Sequence, residues 1–204
     1  MKYAESILVV PRLALELAGF IAADPGVQLF CYERAALFEA CVAQCQLFLP
    51  RGQMELDPTY KQIIPYMVFV YERKVFVMQR SAGAGEQRLA GAYTIGIGGH
   101  VRHSDVAATT IKAWGQREFL EEVAYDGRIK ELVLIGLVND DSNEVGRVHV
   151  GVVFLLHGDR DAIAVRSELQ SGQLMTRDEA CAVSDRMESW SKMVFDALVA
   201  AQKI

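Results

Sequence analysis

The sequence predicts an α+β fold, with strands in a sheet and helices packed on it, and three observations predict it. Ile63 to Tyr71 and Val75 to Gln79 are β-branched and aromatic runs divided by Glu72-Arg73-Lys74, which is the pattern of a β-hairpin. The segment from about Thr109 to Val123 reads as a helix with carboxylates on one side and apolar side chains on another. From Ser184 onward, Met187, Trp190, Val194 and Leu198 recur at helical spacing, a stripe that reads as core.

The other elements follow in order. Leu8-Val9-Val10 reads as a short strand, and Glu33 to Phe48 as a helix ending before Pro50. Arg51 to Pro58 holds Gly and Pro and reads as a connection, so the first sixty residues look like an extension ahead of a core domain at 61–204. After the hairpin, Ser81 to Gly91 is rich in Gly, Ala and polar residues and reads as a binding loop or lid. Ala92 to Ile97 resumes strand character until Gly98-Gly99 breaks it. Leu132 to Val138 and Val148 to Leu156 read as strands joined by the polar stretch Asn139 to Arg147. Thr176-x-x-Glu179 has the form of a capping box.

A length of 204 residues suits one sizeable domain, or a core domain with an extension. The net charge of −5 and the lack of a Lys/Arg block make non-specific nucleic-acid binding a poor expectation, because such binding rests on neutralising phosphates. Anionic substrates stay open, since a divalent cation can carry positive charge locally. The four cysteines form no C-x-x-C pair and no zinc spacing; Cys41 and Cys45 share a helix face and read as buried thiols in a reduced compartment. No apolar stretch reaches the roughly 20 residues that span a bilayer. Arg12 and Glu16 interrupt Ile7 to Ala23, which argues against a signal peptide. The expectation is a soluble, cytoplasmic protein with no membrane partner.

On a helix advancing about 100° per residue, Glu118, Glu121 and Glu122 fall within an arc of about 100°, while Phe119, Leu120 and Val123 occupy a separate arc. The apolar arc can dock on a sheet and leave the acidic arc facing a cleft. Like charges at this spacing repel by a few tenths of a kcal/mol per pair. A hard cation such as Mg²⁺, which takes oxygen ligands, would offset that. A Glu-rich string alone is usually a solvated surface. The context is what gives it meaning: strand, Gly-Gly, loop, then helix. Arg117 can pair with Glu121 one turn on, or reach back to an acid in the preceding loop. Ile111 and Trp114 project at nearly the same angle as the glutamates, which favours a change of environment along the helix.

Arg117-Glu118-Phe119-x-Glu121-Glu122 resembles the second half of the signature of the Nudix hydrolases, the MutT-type pyrophosphohydrolases, G-x5-E-x7-R-E-U-x-E-E-x-G-U, where U is a bulky apolar residue. Gly98-Gly99-His100-Val101 looks like its entry, and Val77-Met78-Gln79-Arg80 is similar to the family's second strand. The resemblance covers roughly Ile63 to Leu156 and implies an α/β/α sandwich with a mixed sheet, to which the N-terminal extension is added. Three departures stand out. Asp105 or Thr109 occupies the place of the first signature Glu, and counted from Asp105 eleven residues precede Arg117 in place of seven. Ala124 replaces the glycine that normally ends the helix, with Gly127 as an alternative stop.

What the resemblance implies is hydrolysis of a diphosphate linkage in a nucleoside diphosphate derivative or a similar phosphorylated metabolite, with Mg²⁺ or Mn²⁺ as cofactor. Glu121 and Glu122 would be metal ligands, Glu118 a third ligand or the base that activates water, and Gly98 a source of a backbone carbonyl. Arg117 would orient the glutamates, so Glu118, Glu122 and Arg117 form the catalytic set. Arg80 and Arg88 are candidate phosphate contacts, and Asp140, Asp141 and Glu144 are candidates for a further acid. His100, His103 and His149 invite a second enzymatic reading. Isoprenoid diphosphate isomerisation needs a catalytic Cys near the Gly-Gly turn, however, and no Cys falls between residues 46 and 180. The rival from another class is a Nudix-fold binding or regulatory module without hydrolysis, which would not need all three glutamates. The first sixty residues could serve as a dimerisation element, giving a homodimer, or complete the substrate pocket.

Overall fold

A computed structural model describes residues 5–22, 24–80, 91–106, 110–166 and 169–204. The centre of the fold is the hairpin of β4 (Tyr60–Tyr71) and β5 (Lys74–Arg80). Its turn residues, Glu72 and Arg73, both have positive φ, 46° and 64°, the left-handed pair that matches the twist of two-residue hairpins. β10 (His149–Gly158) runs parallel to β4, with His149 opposite Gln62 and Phe154 opposite Met67. β9 (Ile129–Asn139) lies antiparallel beyond it, so the sheet is mixed. β12 (Leu169–Met175) extends the other side against β5.

The first sixty residues supply strands to the same sheet. β1 (Ser6–Pro11) pairs with the start of β4 and with β3 (Leu47–Pro50), and β2 (Gly26–Leu29) pairs with β9. β7 (Gly96–Gly98) takes Tyr66 to Val68, and β6 (Tyr93–Thr94) pairs with β5. One edge of β4 is thus shared in succession by β1, β7 and β5.

Alternation along the strands makes two cores. Ile63, Met67, Phe69, Val152 and Phe154 point to one face, under α1 (Arg12–Leu17), α2 (Tyr32–Cys45) and α5 (Ile111–Glu122). Tyr66, Val68, Val70, Val153 and Leu155 point to the other, under α8 (Ser189–Ala200), through its Val194, Phe195 and Leu198. Helices on both faces of a mixed sheet give the expected α/β/α sandwich.

Local differences have local causes. The predicted 33–48 helix stops at Cys45, because Leu47 to Pro50 pairs with β1 and needs extended backbone. The connection from Arg51 to Pro58 contains a single helical turn, α3 (Arg51–Met54). The polar stretch before β10 holds another, α6 (Glu144–Val148), capped by the Asn143 side chain. The capping box of Thr176 and Glu179 is formed at the start of α7 (Arg177–Cys181). Cys41 and Cys45 share a face of α2, half-buried, and all four cysteines are free. Among the described residues no helix is long and apolar enough to cross a membrane.

Candidate active site

α5 is seated by its buried face. Trp114, Gly115 and Phe119 are buried, and Phe119 stacks on Phe69 of β4 with ring centroids 6.0 Å apart. A Cβ on Gly115 would fall 1.8 Å from Met67 Cε, so the glycine lets the helix rest close on β4. Thr110 caps the helix, its hydroxyl accepting from the Ala113 N–H at 3.1 Å. At the other end the chain leaves the helix directly into β8 (Val123–Tyr125), Val123 having extended dihedrals of −125° and 150°. Ala124 is a strand residue paired with Ala164 of β11 (Ile163–Val165). No left-handed terminator is used there, which is why alanine stands where the signature has glycine.

This seating directs Trp114 and Glu118, one turn apart, at the Gly98-Gly99 turn. A Cβ on Gly99 would lie 3.1 Å from Glu118 Oε1 and 3.4 Å from the Trp114 ring; one on Gly98 would meet the Pro65 carbonyl oxygen at 2.6 Å. Gly98 is therefore required by close approach to β4, and Gly99 lets the Glu118 carboxylate pack tightly against the turn. Glu118 is half-buried. Desolvation raises its pKa, and the charges of Glu121 and Glu122 raise it further. Glu121 is exposed and lies 3.6 Å from Arg117 Nε. Arg117 also reaches back to Asp105 Oδ1, at 3.5 Å. Asp105 stands ahead of the helix in α4 (His103–Val106), where it also accepts from the Arg102 N–H at 2.9 Å. Asp105, one of the two candidates for the place of the first signature Glu, thus pairs with Arg117. The alternative, Thr109, and the candidate Arg88 lie outside the described residues, as does nearly all of the Ser81 to Gly91 loop.

Gly98 and Gly99 also line a cavity of about 790 Å³, walled further by His100, His149, Arg80 and Glu144. Arg80 is held by Glu188 at the cavity wall. Of the three candidate acids, Glu144 alone lines the cavity. Asp140 folds its own turn, accepting from the Ser142 hydroxyl at 2.5 Å and from the Asn143 side chain at 3.0 Å. Asp141 is held between Arg12, at 2.8 Å, and the buried Lys61, at 2.6 Å. Burial pushes the Asp141 carboxyl up, but the hydrogen bonds from Arg12 and Lys61 outweigh it and keep it below the usual carboxylate range.

Two of the three histidines singled out in the sequence meet. His100 Nε2 lies 3.1 Å from His149 Nε2 and 2.8 Å from Gln62 Oε1. His149 donates from Nδ1 to the Val145 carbonyl at 2.7 Å, which leaves Nε2 to accept. Burial lowers the His149 pKa and favours that neutral form. Glu55 Oε1 stands 4.0 Å from His100 Nε2. Among the described residues, Glu55, His100 and His149 are the one set of three ligating side chains whose donor atoms all lie within 4.8 Å of one another. His103 is elsewhere, edge-on to Phe48. Sequence reasoning missed Glu55, Gln62 and Lys61. Glu55 sits in what reads as a connection, and a Lys opening an apolar strand gives no sign of being buried.

The structure superposes on the crystal structure of the Nudix hydrolase candidate Tm1382 with a TM-score of 0.79 and 32% identity, over 97% of this chain and 100% of that one. The chain belongs to the Nudix hydrolase family. In sequence it is similar to protein YmaB of Bacillus subtilis strain 168, 35% identical over 97% of this chain and 98% of YmaB. No family model matches the sequence. A more distant fold relative is a bifunctional NMN adenylyltransferase/ADP-ribose pyrophosphatase from Francisella tularensis, solved with AMP and a manganese ion. Its TM-score is 0.53 at 14% identity, over 69% of this chain and 42% of that chain.

Proposed function

We propose that this protein is a divalent-cation-dependent hydrolase that cleaves a diphosphate linkage in a nucleoside diphosphate derivative or a similar phosphorylated metabolite. The observation that carries the reading is the half-buried Glu118 carboxylate against the Gly98-Gly99 turn, with Glu121 and Glu122 raising its pKa from the same helix. A hard cation fits that donor set. Carboxylate oxygens are its preferred ligands, and the mutual repulsion written into Glu118 is what a positive ion relieves. Glu118, Glu121 and Glu122, with the Gly98 carbonyl, would hold Mg²⁺ or Mn²⁺. When bound, the ion would neutralise phosphate oxygens and lower the pKa of a coordinated water.

The chain's own groups have separable tasks. Glu118, half-buried beside the Gly98-Gly99 turn, would be either the third ligand or the acceptor of the proton from the attacking water. Arg117, held by Asp105 and Glu121, orients the acidic face. Arg80 on the cavity wall is placed to meet phosphate charge if it exchanges its Glu188 partner. The ADP-ribose pyrophosphatase named for the Francisella protein belongs to the same substrate class, which supports the reading.

The rival reading is a ligand-binding module without hydrolysis. It has one observation in its favour: among the described residues the set of three ligating side chains gathered within 4.8 Å is Glu55, His100 and His149 and not the helix glutamates. The two are separated by assaying phosphate or nucleotide release from a panel of nucleoside diphosphate derivatives with Mg²⁺ or Mn²⁺. The expected result is turnover that EDTA abolishes and that Glu118→Gln or Glu122→Gln lowers by about a hundredfold or more. Turnover that survives EDTA, or is unchanged in Glu122→Gln, refutes the assignment.

A further inference from the structure

We infer that Glu55, His100 and His149 form a second cation site, distinct from the carboxylates of α5 and suited to a borderline transition ion such as Zn²⁺. Two imidazoles and one carboxylate are a ligand set that zinc accepts with an open fourth position, whereas Mg²⁺ prefers all-oxygen shells. Two imidazole nitrogens bound to one tetrahedral zinc stand about 3.3 Å apart, and His100 Nε2 and His149 Nε2 are 3.1 Å apart. Glu55 Oε1 comes within 4.0 Å of His100 Nε2, and all three donor atoms fall within 4.8 Å.

The surroundings match what such ligands need. Ligating histidines are typically oriented by a hydrogen bond from the other ring nitrogen, and His149 Nδ1 makes one to the Val145 carbonyl at 2.7 Å. That bond fixes its Nε2 lone pair toward the cluster. Glu55 is steadied by Arg51, whose Nε lies 2.9 Å from Oε1. Gln62 turns its carbonyl oxygen to His100, while its amide donates to the Met54 carbonyl at 3.2 Å. It can therefore stay as an oxygen neighbour when an ion replaces the proton between His100 and its partners. That proton would pass to His100 Nδ1, a change of tautomer with no change of charge.

The three ligands and their neighbour Gln62 come from four separate places. Glu55 follows α3, Gln62 lies near the start of β4, His100 follows the Gly-Gly turn and His149 opens β10. Gln62 and His149 are direct neighbours in the parallel pair. Both imidazoles line the same cavity as Gly98 and Gly99. A fourth, oxygen ligand could therefore reach a bound ion from that cavity. This site stands whether or not the chain hydrolyses diphosphates.

The test uses the full chain, stripped with chelator and then titrated with ZnCl₂ in competition with a chromophoric chelator, with Co²⁺ as a spectroscopic probe. The wild type and Glu118→Gln/Glu122→Gln should each bind one Zn²⁺, and Co²⁺ should give the strong visible band of a four-coordinate nitrogen-oxygen site. Glu55→Gln should weaken Zn²⁺ by about tenfold or more, and His149→Gln by about a hundredfold. His100→Gln and Glu55→Gln decide the matter if His149→Gln fails to fold. Zn²⁺ binding that disappears in Glu118→Gln/Glu122→Gln, or that is unchanged in Glu55→Gln and the histidine variants, overturns the proposal, as does no binding at all.

Discussion

Replacing Lys61 with Met tests the ion cluster that fixes one wall of the cavity. Lys61 Nζ is fully buried and donates to Asp141 at 2.6 Å and to the carbonyls of Gly146 and His149 at 2.7 and 3.1 Å. Burial lowers its pKa from the ordinary 10.5 to about 8, with Asp141 opposing the shift. Because the folded value lies below the unfolded one, the unfolded chain binds more protons in the window between them. The charged amine therefore carries a penalty that is fully present below about pH 8 and is lifted as the pH climbs towards 10.5. The whole difference corresponds to about 3 kcal/mol. Integrated from pH 7 to about 9.5, the recoverable part is about 2 kcal/mol. Methionine has similar length, packs well and does not titrate. The stability of wild type minus that of Lys61→Met should therefore rise by about 2 kcal/mol over that range, other titrations cancelling in the difference. Urea unfolding at several pH values, with EDTA present and Trp114 and Trp190 as fluorophores, measures it. Two variants that shift in parallel with pH would refute the buried, charged lysine.

Three further outcomes follow from packing and hydrogen bonds. Tyr66→Phe removes a 2.7 Å bond to Ser191 but leaves Ser191 bonded to Thr94 at 3.0 Å, so urea unfolding should show a loss of only about 1 kcal/mol. Gly96→Ala should cost about 1–3 kcal/mol, because the new Cβ would lie 2.2 Å from the rigid Tyr66 ring; a melting temperature equal to wild type would contradict the packing. Thr176→Ala removes the side-chain half of the capping box, leaving the backbone N–H of residue 176 bonded to Glu179, and should cost about 1 kcal/mol in chemical denaturation, while leaving zinc and magnesium titrations unchanged.

Local signals carried most of the fold. The hairpin, the acidic helix, the capping box and the C-terminal stripe are all periodic or sequence-adjacent patterns, and each stands close to where the spacing put it. Helix termini are the weaker part. Leu47 and Phe48 suit a helix by propensity, and only pairing with Ser6 to Val9 makes them a strand. The site divides in the same way. The order of Glu118, Glu121 and Glu122 on α5 is legible because 3.6 residues per turn fixes it. Asp105 against Arg117 is half legible, since the pairing could be anticipated but not the length of the connection. The Glu55–His100–His149 cluster was beyond reach, because the parallel register of β4 and β10 joins residues that no sequence pattern links. Lys61 was illegible for the same reason: its acceptors lie some 80 positions away in a turn.

The divided edge of β4 has a consequence for anyone shortening this chain. Cutting ahead of residue 61 to isolate the remaining domain would remove the strand that covers the start of β4 and the one that covers β9. Backbone N–H and C=O groups of two long, apolar strands would then face outwards, a template on which further copies can add strand by strand. The same cut would take Arg12 from Asp141 and Glu55 from the histidines. A truncated version should be sticky before it is inactive, and its clumping would say little about the chemistry of the site it still carries.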